Sequence, residues 1–175
     1  MKKIAILSLG IAMAISGCKK AEELTQFDID YTTTVTIPST TGVNLPFNIY
    51  SPDMETNSSS KFESNNTRKD KIESIILKKM ELVIKSPSNG DFDFLKSIEL
   101  YIDADGLDEK KIAFKNPVPD GSGKTITLDL SGDELKAYIL KANFSLRVNT
   151  VTDEVISNDH VIDINTTLFV DAKLL

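Results

Sequence analysis

Residues 27–37, FDIDYTTTVTI, alternate between two kinds of side chain without a break. Phe27, Ile29, Tyr31, Thr33, Val35 and Ile37 fall on one side of an extended chain, and acidic or hydroxyl residues fall on the other. A period of two sends successive side chains to opposite faces of a sheet, so this stretch predicts a strand with one face packed and one face wet. The same period returns along the chain. It is seen in FNIY (47–50), in MELVIK (80–85, with Met80, Leu82 and Ile84 inward) and in FLKSIELYID (94–103, with Ile98, Leu100 and Ile102 inward). It continues in KKIAFKN (110–116), TITLDL (125–130, with Ile126, Leu128 and Leu130 inward), NFSLRVN (143–149) and VIDINTTLFVDA (161–172, with Ile162, Ile164, Leu168 and Val170 inward). Turn-forming runs separate these segments: SPSNGD at 86–91, DADGLDE at 103–109 and PVPDGSGK at 117–124.

Two segments depart from that period. Ile72, Ile75 and Ile76 recur at helical spacing behind Thr67 and Asp70, which predicts a short helix near 69–77. Ser131-Gly-Asp-Glu134 reads as a capping box, with Leu135, Tyr138 and Ile139 lining one face of a second short helix. The Ser- and Asn-rich stretch 51–67 reads as a mobile polar loop, the longest in the domain. About eight alternating strands and two short helices give an all-β fold, an antiparallel β-sandwich that is Ig-like or similar. A parallel α/β fold is excluded, because it needs a helix at nearly every crossover.

The N-terminus is organised differently. Met1-Lys2-Lys3 is a short positive start, and Ile4 to Ile15 is an almost unbroken apolar run. That run is too short to cross a membrane as a helix, which takes ~20 residues. A positive start, a short apolar stretch and small residues before a cleavage point read as a secretory signal. The segment ends in Ile15-Ser16-Gly17-Cys18, and Cys18 is the only cysteine of the chain. These four residues resemble the lipobox of bacterial lipoproteins. The resemblance implies that residues 1–17 are removed as a signal peptide and that lipid, palmitate included, is carried on Cys18. It further implies a location in the bacterial cell envelope, lipid-anchored at the outer membrane, either periplasmic or surface-exposed. Lys19 in place of Asp gives no signal for inner-membrane retention, and KKAEE at 19–23 is similar to the charged surface-export tether of some Bacteroidota lipoproteins. The expected organisation is signal 1–17, lipidated tether 18–26 and one β-sandwich domain over 27–175. A catalytic role for Cys18 is disfavoured, since a nucleophilic thiol needs a base close in space and the only histidine, His160, lies far along the chain.

Charge removes further classes. The formal net charge is −6, and loss of Lys2 and Lys3 with the signal leaves the mature protein more acidic still. Clustered Lys and Arg are what phosphate contacts require, so a nucleic-acid partner is not expected. GSGKT at 121–125 has the tail of a P-loop, but the motif's first glycine is replaced by Val118 and a strand pattern follows where a helix is needed, so no nucleotide is expected. DADGLDE carries four carboxylates, and Asp103, Asp105 and Asp108 are weak candidates for a surface Ca²⁺ site. An EF-hand register anchored on Gly106 puts Tyr101 first and Ile112 twelfth, which breaks that motif. His160 has no partner pattern for zinc or for a catalytic triad and reads as a loop residue.

No catalytic constellation or cofactor signature emerges, and the chain reads as non-enzymatic. Two functional expectations remain. One is a structural or protein-interaction module, working through an edge strand or the 51–67 loop. The other is a glycan- or small-ligand-binding accessory lipoprotein of a nutrient-uptake system. A cluster of surface-facing tyrosines would favour the second. With no tryptophan in the chain, the candidates are Tyr50, Tyr101 and Tyr138, of which Tyr138 reads as core.

Overall fold

The structure is a computed structural model, and it describes residues 25–39 and 42–173. The signal, Cys18 and most of the tether lie outside the described residues. What is described is an antiparallel β-sandwich of two facing sheets.

The first sheet runs β1 (Gln26–Ile37), β10 (His160–Ala172), β4 (Ile72–Ser86), β7 (Thr125–Thr127). The second runs β2 (Pro46–Tyr50), β9 (Asn143–Thr152), β5 (Leu95–Asp103), β6 (Lys110–Lys115), β8 (Asp129–Leu130). The two-residue β3 (Met54–Glu55) extends the β2 edge by pairing with the start of β9. Inward residues of both sheets form one core, in which Phe92, Leu100, Ile75 and Phe62 are fully buried. In β1 the expected face is the buried one, with Ile29, Tyr31, Thr33, Val35 and Ile37 inside and Phe27 packed at the margin.

The helix expected near 69–77 is not there. Lys69–Lys71 make one 3-10 turn, and β4 begins at Ile72. The helical spacing comes from β-bulges. Ala172 faces Ile72 while Asp171 faces Ser74, so Glu73 is an extra residue; Leu168 faces Leu77 while Thr167 faces Lys79, so Lys78 is another. Each extra residue flips the parity. Inward positions therefore fall at Ile72 and Ile75, then at Leu77 and Met80, three apart each time.

The 51–67 segment is also more ordered than its composition suggests. It holds β3 and the helix α1 (Ser58–Ser64), pinned by the fully buried Phe62 ring and by Thr56, whose hydroxyl donates to the Lys141 carbonyl at 2.7 Å. One aromatic residue inside a polar run was enough to dock it.

The second helix, α2 (Lys136–Ile139), is present with Tyr138 and Ile139 buried, yet no capping box forms. The Glu134 carboxylate instead accepts from the amides of Ile75 and Lys136, both at 2.8 Å, and so ties α2 to β4. TITLDL is two strands rather than one: β7 pairs with β4, β8 pairs with β6, and the chain changes sheets at the buried Leu128. His160 is the first residue of β10 and is buried, its ring 4.4 Å from that of Phe94. The expected loop position is thus corrected by one packing contact.

Candidate functional site

Parity decides which residues the second sheet shows to solvent. With Leu146, Val148 and Thr150 of β9 inside, Ser145, Arg147 and Asn149 point out; on β5, Glu99, Tyr101 and Asp103 do the same. Register then lines them up. Tyr50, Arg147, Tyr101 and Lys111 are successive cross-strand partners over four strands. The neighbouring row is Asn48, Asn149, Glu99 and Phe114. On the other side, Ser145 faces Asp103.

Arg147 organises the face. Its guanidinium lies 4.0 Å from the centre of the Tyr101 ring, a cation–π stack. Nε and Nη2 donate to the two Glu109 oxygens at 2.7 and 2.5 Å, and Nη1 donates to Asn48 Oδ1 at 2.8 Å. Such two-pronged pairing fixes orientation as well as charge. Asn48 Oδ1 also accepts from Asn149 Nδ2 at 2.9 Å. Beside this, Glu99 accepts from the Tyr101 hydroxyl at 2.7 Å and from Lys111 Nζ at 3.2 Å.

The titration behaviour follows from these bonds. The Arg147 hydrogen bonds hold the Glu109 carboxyl below the usual carboxylate range, and Glu109 in turn holds the Arg147 proton more firmly. The Tyr101 hydroxyl and then Lys111 hold Glu99 low, while the same bond to Glu99 raises Tyr101. Both carboxylates are thereby committed anions, the opposite of a general acid. Tyr31, pushed up to about 12 by burial, donates its hydroxyl to the Thr56 carbonyl at 2.6 Å and belongs to the core.

Two features of the face are open. The Tyr50 ring is 67% exposed on the edge strand. Past Ser145 and Asp103 the face runs into a cleft of about 370 Å³ lined by Asp53, Asp103, Asp105, Lys141, Asn143 and Ser145 among others. That volume lies within the ~300–1,000 Å³ common for ligand sites. A larger, more open hollow of about 550 Å³ around 55–60 and Lys69 carries hydroxyls and amides but no aromatic ring.

The residues singled out from sequence are distributed as follows. Asp103 and Asp105 share the cleft; Asp108 does not line it, and its carbonyl accepts from the buried Tyr138 hydroxyl at 2.5 Å. Among the described residues no three His, Cys, Asp or Glu side chains converge as metal ligands. Gly121 and Gly123 adopt positive φ in a turn that leads directly into β7, so no helix N-terminus meets GSGKT. Tyr138 is core, whereas Tyr50 and Tyr101 share one row of one face. The spacing gave no reason to group Asn48, Asn149, Glu99, Lys111 and Glu109 into one site. Like Arg147, the residues Asn48, Glu99 and Asn149 had one available signal, an outward position on an alternating strand, and Glu109 had only its place in the acidic DADGLDE turn. No helix among the described residues is long and apolar enough to cross a membrane. Cys18 lies outside them.

No family model matches this chain, and no curated protein matches it. Solved structures with a distant likeness to this chain include these three. One is "CpGH89CBM32-5, from Clostridium perfringens, in complex with GalNAc-beta-1,3-galactose", with 11% identity, 82% of this chain and 97% of that chain covered, and a TM-score of 0.37. The second is a decameric BFDV capsid protein, with 8% identity, coverage of 83% and 99%, and a TM-score of 0.38. The third is the C-terminal domain of a chitobiase from Bacteroides fragilis, with 11% identity, coverage of 75% and 66%, and a TM-score of 0.32. Likeness at these scores does not bear on function, and the site stands on its own residues.

Proposed function

We propose that this chain is a lipid-anchored, non-enzymatic recognition module of the bacterial cell envelope, held at the outer membrane through Cys18, and that it binds its partner on the outer face of the second sheet. The observation that carries the recognition reading is the row Tyr50–Arg147–Tyr101–Lys111, where an exposed ring stands beside side chains already fixed by mutual bonds. Groups fixed before binding lose little freedom on binding, which is how a small surface becomes selective. The non-enzymatic part is supported by Glu99 and Glu109, whose carboxyls are held as paired anions rather than poised to exchange a proton.

The anchoring part rests on the lipobox-like residues Ile15–Cys18. Each buried methylene of an acyl chain contributes ~0.8 kcal/mol, so two or more chains hold a protein to a bilayer without help from its folded domain. Residues 18–25 span at most ~28 Å even when fully extended, which keeps the domain close to the lipid surface.

Cell fractionation with palmitate labelling tests the anchor. Wild-type protein is expected in the membrane fraction carrying label, and Cys18→Ala is expected to be unlabelled and released. A Cys18→Ala protein that stays as firmly membrane-bound as wild type overturns the anchor. Protease treatment of intact and lysed cells then separates a surface location from a periplasmic one.

A further inference from the structure

Resting on the reading of this face as a recognition surface, we propose that it binds a neutral glycan chain, with one pyranose stacked on the Tyr50 ring and the next sugar's hydroxyls held in the adjoining cleft. Three observations lead there. The first is the shape of what is open. Arg147 covers one side of the Tyr101 ring, whereas Tyr50 is left 67% exposed, so the face offers one free aromatic platform. A pyranose has an apolar C–H face that fits an aromatic ring, and Tyr supplies that contact with little conformational freedom to lose.

The second is the supply of hydrogen bonds around the platform. Asn48 and Asn149 use one oxygen and one amide group on each other and on Arg147. The Asn48 amide nitrogen and the Asn149 carbonyl oxygen therefore remain for a ligand, as a donor and an acceptor side by side. On the other side of the Arg147 row, Asp103, Ser145 and Asn143 line the cleft, so Tyr50 is flanked by the Asn pair on one side and the cleft on the other. With a rise of 3.3–3.4 Å per residue and strands 4.7–4.9 Å apart, Tyr50 stands about 8 Å from Ser145. That is the span of two linked pyranoses.

The third is charge. On the platform each cation has its own carboxylate, Arg147 with Glu109 and Lys111 with Glu99. In the cleft, Asp53, Asp103 and Asp105 stand against Lys141 alone. The chain as a whole carries −6. An anionic chain would thus meet repulsion in the cleft and find no free cation on the platform. A neutral polyol meets oriented donors and acceptors without that repulsion.

The test uses the mature lipidated protein in detergent, run through native gels containing a neutral β-glucan, galactan or mannan, a polyuronate, or poly-lysine. Retardation by at least one neutral polysaccharide and none by polyuronate is expected. Tyr50→Ala should weaken that interaction by about tenfold or more, the effect of losing ~1.4 kcal/mol. Asp103→Asn should weaken it too, while Lys85→Ala on the opposite sheet should leave it unchanged. Melting curves show that each variant is folded. Retardation by polyuronate, or by none of the neutral polymers, overturns the glycan inference. Binding of poly-lysine alone that Tyr50→Ala abolishes also overturns it but leaves the face as a recognition surface for basic peptides. Glycan binding that neither Tyr50→Ala nor Asp103→Asn alters overturns the choice of face as well.

Discussion

The two outer faces of this sandwich are built from the same alternation and end up as different surfaces. On the first sheet most outward bonds are short pairs between residues directly opposite, and two longer lysines of β4 reach Asp28 on β1 at 2.6 Å (Lys78) and Asp163 on β10 at 3.4 Å (Lys85). Thr34 donates to Asp163 at 2.7 Å, Thr32 to Asn165 at 3.0 Å and Thr167 to Asp30 at 2.7 Å, each across the single β1–β10 ladder. On the second sheet the bonds run across several strands and into a loop, from Asn48 on β2 through Arg147 on β9 to Glu109, with Tyr101 stacked beneath. Such pairs and exposed lysine bridges hold β1, β10 and β4 in register without converging on one side chain. A network with one centre couples four strands, and it leaves Tyr50 standing clear at its edge. Among the described residues the first face has no such centre; the second has one, and it is where the proposed recognition surface lies.

The sharpest way to break that contrast is to remove the centre. Arg147→Ala deletes three charge-assisted bonds and a stack and leaves Glu109 without its partner. Hydrogen bonds to charged groups contribute ~1.5–3 kcal/mol, so a loss of about 2–3 kcal/mol is expected. For a domain of this size that is a fall in Tm of roughly 4–10 °C, read by calorimetry. A melting point within a degree of wild type would reduce Arg147 to an ordinary surface residue and remove the distinction between the faces.

Acid probes the same network from the side of its carboxylates. Glu99 and Glu109 are held below their usual value of 4.5 in the folded chain. A lowered folded-state pKa contributes stability that is fully present above the unfolded value and is lost as pH falls through the folded one. The second sheet's network should therefore weaken progressively below about pH 4.5 and be intact at pH 7. Glu109→Gln should cost about 1–2 kcal/mol at neutral pH, and it should flatten part of the acid slope in urea midpoints taken from pH 6 down. An unchanged slope would mean that Glu109 titrates as it does in the unfolded chain.

On the opposite face the effects should be smaller. Thr34→Val removes one exposed cross-strand bond and inserts a good strand former, so the change should stay within about 1 kcal/mol. A larger loss in a urea titration would show that Thr34, Asp163 and Lys85 act as one network across β1, β10 and β4.

Much of this was legible in the sequence, and where reading failed the causes are specific. Alternation identified β1, β5 and β10 with the correct inward residues and placed a strand at β9, because a buried face tolerates no slip of one residue. It failed at 72–77, where the bulge at Glu73 resets the parity and leaves Ile72 and Ile75 both inward, three apart as on a helix, while Ile76 points outward. It failed at 125–130, because a strand that changes sheets keeps its alternation through the corner. In 51–67 the average polarity concealed one buried phenylalanine. The site was less visible than the fold. Tyr50 and Tyr101 were recognisable as exposed-ring candidates, but that Arg147 lies between them depends on the pairing of β2, β9 and β5. Residues 50, 101 and 147 meet only through that register, and local pattern carries no information about which strands are neighbours.

Tyr50 makes the smallest prediction for stability and the most discriminating one. Its ring is mostly in solvent at the end of a five-residue edge strand, and surface substitutions of that kind change stability by no more than about 0.5 kcal/mol. Tyr50→Ala should therefore melt almost with wild type, well above Arg147→Ala. A residue that built the sheet would show the reverse order, since its truncation would disturb the β2–β9 pairing and lower the midpoint. Melting curves of Tyr50→Ala and Arg147→Ala measured side by side would rank the two. If the tyrosine proves the more destabilising, the platform is part of the sheet's own packing and the contrast between the faces loses its functional meaning.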